Sequence, residues 1–234
     1  MKNQYVADIN DFRKYGLIRA LLSGGDLSCG VFWMLTNGDS TGDGELIGYL
    51  ERPHDFAHLD PELFRKLRYL VETPWARTVR SIHLNSILPR TTYFDELLPD
   101  SATERRAVFA EGLTRLSESD LVFFDPDNGI EIQSKPSGRK NSNKYIYFEE
   151  IEIAFQKKHS LLVYQHFPRK DRRLYIEERI RQLRQRLGSP PIYALRTGYV
   201  CFFLIAQPVH HSALLKGVEQ VRASWAQHFV VTAH

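Results

Sequence analysis

Short apolar runs alternate along the chain with segments in which apolar residues recur at helical spacing. The runs at 30–35, 121–124 and 161–164 are apolar throughout, which is the pattern of strands buried on both faces of a sheet. Between and after these runs, the periodicity predicts helices over about 11–23, 61–73, 101–116, 176–187 and 212–227. Such alternation is typical of an α/β fold with a mostly parallel sheet.

The C-terminal part carries a different signal. Two apolar runs at 192–195 and 199–205 are separated by Thr197-Gly198, a dipeptide that favours a β-hairpin, and a short strand is predicted at 229–232. The sequence therefore predicts a three-layer α/β sandwich with a mostly parallel central sheet and an antiparallel C-terminal edge hairpin. In such folds ligands bind beyond the carboxyl ends of the strands, which selects the loops 37–45, 125–131 and 165–172.

The composition is that of an ordinary globular protein. The 234 residues are 43% hydrophobic and 25% charged, which excludes disordered and collagen-like classes and favours one α/β domain over residues 1–234. No apolar run approaches the ~20 residues of a membrane helix, and the first residues are too charged for a signal peptide, so a cytoplasmic protein is expected. The two cysteines and the histidines lack metal-ligand spacing, so no metal site is predicted.

The formal net charge of +3 is unevenly distributed. A basic insertion loop at about 134–144 contains four basic residues and no acid, and segment 168–188 contains eight basic residues against three acidic ones. Such asymmetry favours a polyanion as partner, and nucleic acid, with DNA favoured, is the expected partner. The residues predicted to bind phosphates are Lys135, Arg139, Lys140, Lys144, Arg169, Lys170, Arg172 and Arg173. Tyr147 and Phe148, which follow the basic loop, are candidates for stacking on bases.

Polar side chains follow two of the buried runs directly. Residues 121–124 lead into Asp125-Pro126-Asp127-Asn128-Gly129, and residues 161–164 lead into a segment with His166 and Pro168. Carboxylates at a strand end can hold a water or a cation, although Asp, Asn, Pro and Gly also form ordinary turns. We interpret this segment as the candidate site, because it falls where the fold is expected to bind ligands.

The strand followed by Asp125-Pro126 and by Asn128-Gly129 resembles the water-activating motif of the uracil-DNA glycosylase superfamily, and His166 with Pro168 resembles its second motif. The resemblance implies base excision without a metal or cofactor, with Asp125, Asp127, Asn128 and His166 as catalytic residues. Asp125 would orient a water, and His166 would hydrogen-bond the departing base. Asp127 stands where the family has a tyrosine, which implies a pocket for a 5-modified pyrimidine and, by extension, a role in antiviral defence.

The same segment is also similar to the (Asp/Asn)-Pro-Pro-Tyr motif of adenine-N6 methyltransferases. The hairpin at 192–205 suits the antiparallel strands of their S-adenosylmethionine-dependent fold, so this resemblance implies S-adenosylmethionine as cofactor. The glycine-rich stretch at 37–44 is then a candidate cofactor loop, or else a surface loop. A third alternative is a nucleic-acid-binding module without catalysis, which has no need of the carboxylates at Asp125 and Asp127.

A second group of charged residues, Asp8, Asp11 and Lys14, lies at the start of the first predicted helix. Carboxylates near a helix start ordinarily cap the helix and interact with its dipole, and this is the interpretation that the placement of the two acids favours. A role at the site is the alternative.

Overall fold

The computed structural model describes residues 3–37 and 46–234. Its helices are α1 Ile9–Leu22, α2 Pro53–Phe56, α3 Pro61–Glu72, α4 Val79–Leu84, α5 Ala102–Arg115, α6 Phe148–Gln156, α7 Arg172–Leu187 and α8 Pro208–Ser224. Its strands are β1 Cys29–Phe32, β2 Thr91–Phe94, β3 Leu121–Phe124, β4 Gly129–Ile130, β5 Tyr145–Ile146, β6 Ser160–His166, β7 Ile192–Arg196, β8 Val200–Ile205 and β9 Val230–Ala233.

Seven strands form the central sheet in the order β2-β1-β3-β6-β8-β7-β9, and β4 and β5 form a small parallel sheet. The strands β2, β1, β3 and β6 are mutually parallel, whereas β8 is antiparallel to both of its neighbours, β6 and β7. The strand β9 pairs antiparallel with β7 and is the last strand at that side of the sheet. The predicted α/β class, the mostly parallel sheet and the antiparallel C-terminal hairpin are therefore confirmed.

Helices cover both faces of the sheet. Residues of α1, α3 and α8 share one apolar core with one set of strand side chains, and residues of α5, α6 and α7 share a second core with the alternate set. Phe123 and Phe124 illustrate the alternation, because these consecutive residues of β3 are fully buried in different cores. Burial on both faces explains why the central strands are apolar throughout.

The parallel strands β2, β1 and β3 end level with one another, and β6 continues three residues farther, to His166. Phe32, the last residue of β1, lies opposite both Phe94 of β2 and Phe124 of β3, and Phe124 lies opposite Val163 of β6. The residues that follow these strands therefore emerge at one edge of the sheet, which we call the carboxyl edge. The turn between β7 and β8 is at this edge too, because β7 runs in the same direction as β6.

The helix α1 begins at this edge, and its position is set by its cap and by its contact with α8. Asp8 is the N-cap, and its carboxylate accepts hydrogen bonds from the backbone of Asn10 and Asp11. The predicted capping role of Asp8 is thus confirmed. Farther along, Gly16 lies so close to Trp225 that an added Cβ would be 2.2 Å from the indole, so α1 approaches the end of α8 closely. Within the described residues, no helix is both long and apolar enough to cross a membrane.

Candidate functional site

A buried ion-pair cluster lies at the carboxyl edge. The Lys14 ammonium of α1 is 2.8 Å from Oδ2 of Asp125, which directly follows β3, and 2.9 Å from Oδ1 of Asp11. The side chains of Lys14, Asp125 and Asp11 are only 6%, 4% and 1% exposed, respectively. The structure therefore brings together two acids that are 114 positions apart in the sequence and places one lysine between them.

Asp11 holds a dense set of hydrogen bonds. Its Oδ2 accepts from the Tyr15 hydroxyl at 2.9 Å and from the Ala7 backbone amide at 3.1 Å. Ala7 adopts a left-handed conformation with φ of 63°, which is uncommon for a residue with a Cβ. The segment that precedes α1 is therefore bent so that its backbone satisfies a buried carboxylate.

The charges of the cluster depend strongly on one another. Burial acts to lower the pKa of Lys14, but the neighbouring carboxylates of Asp11 and Asp125 outweigh it and the net shift is upward, so Lys14 is an ammonium at neutral pH. Burial raises the pKa of Asp11 to about 6, against the lowering effect of Lys14. Burial and the nearby Asp11 carboxylate raise the pKa of Tyr15 well above its ordinary value, so this phenol is a hydrogen-bond donor.

Tyr164 of β6 packs against the ion-pair cluster. The Lys14 ammonium lies 5.7 Å from the centroid of the Tyr164 ring, a cation–π distance. The Tyr164 side chain is partly buried against the core that contains α1. Burial raises its pKa, the nearby Lys14 ammonium acts to lower it, and the charges of Asp125, Asp8 and Asp127 act to raise it. The net shift is upward, so the phenol is neutral at neutral pH.

The turn that follows β3 is tied to the neighbouring segments on both sides. Thr36, which lies beyond β1, donates from its hydroxyl to Oδ2 of Asp127 at 2.8 Å. The backbone carbonyl of Asn128 accepts from the His166 amide at 3.2 Å and from the Gln165 side chain at 3.1 Å. Gly129 has φ of 111°, and Gln165 packs so closely that a Cβ at Gly129 would lie 2.5 Å from its amide group. The turn is therefore a rigid, glycine-dependent feature.

The four residues predicted to be catalytic lie at the same edge but in different environments. Asp125 is buried and paired with Lys14, Asp127 and Asn128 are partly exposed, and the His166 side chain is exposed at the end of β6. Residues 38–44 of the candidate cofactor loop lie outside the described residues. Within the described ranges, no three His, Cys, Asp or Glu side chains are grouped so that they could hold a metal ion.

The predicted phosphate-binding residues form two groups near this edge. Arg169, Lys170, Arg172 and Arg173 are exposed in the loop after β6 and the first turn of α7. Lys135, Arg139, Lys140 and Lys144 lie in the segment between β4 and β5, where Arg139 and Lys140 are exposed and the two lysines at its ends are partly exposed.

Asp100 anchors the C-terminal part of the basic loop at 134–144. The carboxylate of Asp100 accepts hydrogen bonds from the backbone amides of Asn141 and Asn143, both at 2.9 Å. The hydroxyl of Ser142 is 3.2 Å from the same carboxylate. The loop therefore presents its cations from a fixed backbone.

The prediction that Tyr147 and Phe148 stack on bases is wrong. Both residues are buried, with 7% of their surface exposed, at the start of α6. The ring of Tyr147 is covered by the guanidinium of Arg105, 4.9 Å from its centroid, and that of Phe148 by Arg186 at 4.8 Å. An aromatic ring that already packs against an arginine inside the fold has no open face for a nucleobase.

Sequence reasoning placed Lys14 at a helix start and did not assign it to the site. The available signal was the spacing of Asp11 and Lys14, which puts an acid and a base on one helical face. Tyr15, Thr36, Tyr164 and Gln165 carried no local signal, because each is part of an apolar or ordinary polar segment. Their contribution depends on which strands and helices become neighbours.

Comparisons with known proteins give little further information. No family model matches the chain, and no curated protein matches it significantly. Among solved structures, the chain is similar to the crystal structure of protein LPL1258 from Legionella pneumophila str. Philadelphia 1, assigned to DUF519, at 14% identity and a TM-score of 0.43. That similarity covers 98% of this chain and 96% of the other.

Proposed function

We propose that the protein is an S-adenosylmethionine-dependent methyltransferase that acts on a nucleic acid. The observation that carries the proposal is the order of the sheet: antiparallel β8 is inserted between β6 and β7, and β6 is the neighbour of β3, the strand that leads into Asp125-Pro126. An antiparallel strand in this place is what the resemblance to the methyltransferase fold implies. The sheet also brings the motif to the edge where α/β proteins bind ligands.

The residues at the carboxyl edge suit the chemistry of this cofactor, which carries a sulfonium, an ammonium and a ribose diol. Asp95 and Glu96 directly follow β2 and are exposed, so their carboxylates would hold the ribose hydroxyls. The Asp11, Lys14 and Asp125 cluster has two acids to one base, and this excess negative charge favours a cationic ligand nearby. When bound, the cofactor would supply an electrophilic methyl group.

The environment of Asp125 favours methyl transfer over base excision. Its carboxylate is 2.8 Å from a buried ammonium, and this positive charge partly cancels the negative charge that would stabilise a cationic sugar. A charge-compensated carboxylate still accepts a hydrogen bond from an amino group. Asp125 would therefore orient the amine of a base such as adenine rather than activate a water.

Base excision remains the second candidate because of His166. Its side chain is exposed at the end of the strand next to Asp125, and its backbone amide is bonded to the carbonyl of Asn128. This is the juxtaposition that a glycosylase acting on a 5-modified pyrimidine needs, with His166 at the departing base and Asp127 at the 5-substituent. An antiviral role would follow only from such a substrate.

One experiment separates the candidates. The protein is titrated with S-adenosylmethionine in a calorimeter and is then incubated with the methyl-labelled cofactor and with DNA or RNA, in parallel with alkali cleavage of modified duplex DNA. Saturable cofactor binding with label in the nucleic acid supports the proposal. Abasic sites without cofactor binding would replace it with the glycosylase, and nucleic-acid binding with neither product would replace it with a binding module.

Binding to DNA or RNA is expected to weaken steeply with salt. If five or more phosphates are contacted, the logarithm of the affinity for duplex DNA should fall with log salt at a slope of about −0.9 per phosphate. Replacing Arg169, Lys170 and Arg172 with glutamine should make the slope shallower by about 3. The measurement is fluorescence anisotropy across a salt series.

The matched control replaces exposed arginines elsewhere. Arg65→Gln in α3 and Arg80→Gln in α4 remove charge from exposed positions outside the loops of the carboxyl edge, and they should leave the slope unchanged. A wild-type slope near zero, or an equal effect of the control variants, would contradict the assignment of this loop to phosphate binding.

A further inference from the structure

One large aromatic side chain projects from the carboxyl edge into solvent. Tyr199 is 71% exposed and lies in the turn between β7 and β8. Its backbone carbonyl accepts a hydrogen bond from Phe167, which directly follows β6, at 3.2 Å. The ring therefore stands beside the end of β6, the strand that neighbours the Asp125 strand.

The backbone that carries this ring is fixed. The hydroxyl of Thr197, a buried residue, accepts hydrogen bonds from the backbone amides of Tyr199 and Val200, both at 3.2 Å. The Thr197 amide in turn donates to the Val200 carbonyl at 2.8 Å. A ring on a rigid turn loses little conformational freedom when it binds a flat partner, which favours a recognition role over a disordered surface residue.

Cationic residues lie in the segments that neighbour this turn. Arg169 and Lys170 are exposed in the segment that follows Phe167. Arg13 of α1, adjacent in sequence to Lys14, lies within electrostatic range of Tyr199. Its Nε is buried and has no hydrogen-bond partner among the described residues. A donor of this kind is costly to bury unless a ligand satisfies it.

We propose that Tyr199 is a stacking platform for an unpaired base of a nucleic acid, whose flanking phosphates are bound by Arg169 and Lys170. A rigid exposed ring next to cations is the combination that single-stranded nucleic acid recognises, because every base has a π-face and every linkage a negative charge. A duplex has its bases stacked on one another and offers this ring no face. Tyr199 thus takes the role that the sequence assigned to Tyr147 and Phe148.

This inference rests on the proposed function and adds to it a form of substrate. The platform lies at the same edge of the sheet as Asp125. A nucleic-acid strand held there would therefore place the base next to the stacked one near the cluster of Asp11, Lys14 and Asp125. The substrate would therefore be a single-stranded or locally unpaired segment. Tyr199 would act as a positioning residue and would not contact the transferred methyl group.

The test measures the affinity of the full chain for a short single-stranded oligonucleotide and for the matching duplex by fluorescence anisotropy. Tyr199→Ala should weaken single-strand binding about 10-fold or more, whereas Tyr199→Trp should preserve it, because stacking depends on the ring and not on the hydroxyl. A 2-aminopurine placed in the oligonucleotide should be quenched by the wild type and by Tyr199→Trp only. Tyr69→Ala, which removes an exposed tyrosine of α3, is the matched control and should change nothing.

The outcomes separate the inference from the proposed function. Wild-type binding that Tyr199→Ala leaves unchanged, or an equal loss for duplex and single strand, overturns the platform while nucleic-acid binding stands. Failure of the wild type to bind any nucleic acid overturns both. Calorimetry should show that Tyr199→Ala binds the cofactor as tightly as the wild type does. Loss of cofactor binding would show that the substitution damages the whole site, and it would count against the platform.

Discussion

Replacing Lys14 with methionine is expected to lower the free energy of unfolding by about 3–5 kcal/mol at neutral pH. Methionine fills a similar volume but leaves the carboxylates of Asp11 and Asp125 buried without the ammonium that lies 2.9 and 2.8 Å from them. Removing one partner of a buried ion pair leaves an uncompensated charge, and two such charges repel each other as well. Urea unfolding followed by circular dichroism gives the difference directly.

The loss of unfolding free energy in Lys14→Met should also depend on pH in a defined direction. Burial already raises the pKa of Asp11 to about 6 in the presence of Lys14, and loss of the ammonium raises it further. A carboxyl whose folded pKa lies above its unfolded pKa favours folding at low pH and loses that contribution as the pH rises through the folded value. The variant should therefore lie closer to the wild type near about pH 5 than near about pH 8.

Lys157→Met provides the control for this prediction. Lys157 is exposed at the end of α6, and its replacement should change stability by less than about 0.5 kcal/mol. A Lys14→Met variant with wild-type stability, or a deficit that grows on acidification, would show that Lys14 does not hold the two carboxylates together.

Asp125→Asn is expected to reduce methyl transfer by about 10²-fold or more in kcat/KM. Asparagine keeps the shape of the side chain but loses the charge that pairs with Lys14 and that would orient an amino group of the substrate. The structure also adds a stability cost, because Asp125 is buried in an ion pair rather than free at a strand end. Activity must therefore be compared at a temperature where unfolding experiments show both proteins to be folded.

Asp120→Asn is the matched control on the same strand. Asp120 directly precedes β3 at the opposite edge, where its carboxylate accepts from the backbone amide and the hydroxyl of Ser28 at 2.8 Å. Its replacement should lower stability and leave kcat/KM at the wild-type value. Full activity in folded Asp125→Asn, or an equal loss in Asp120→Asn, would remove Asp125 from the chemistry.

The hydrophobic pattern was sufficient for the class of fold and for the edge that carries the site. Strands such as Leu121–Phe124 are apolar throughout because both faces are buried, and α3 shows helical spacing because only one face is. The pattern did not identify two of the shorter elements. The strand Thr91–Phe94 at the edge of the parallel strands is only half buried, and the helix Phe148–Gln156 follows the basic loop without a periodicity long enough to identify it.

What the sequence determined by itself is local: the alternation of strands and helices, the hairpin, the polar turn after β3 and the cap at Asp8. The tertiary structure decided which charges meet, because Lys14 and Asp125 are 111 positions apart and only the packing of α1 beside β3 joins them. It also decided which aromatic rings are exposed, burying Tyr147 under Arg105 and projecting Tyr199 from a turn. The physical reason is that periodicity reports the burial of an element's face, whereas pairing and exposure of one side chain depend on neighbours distant in the chain.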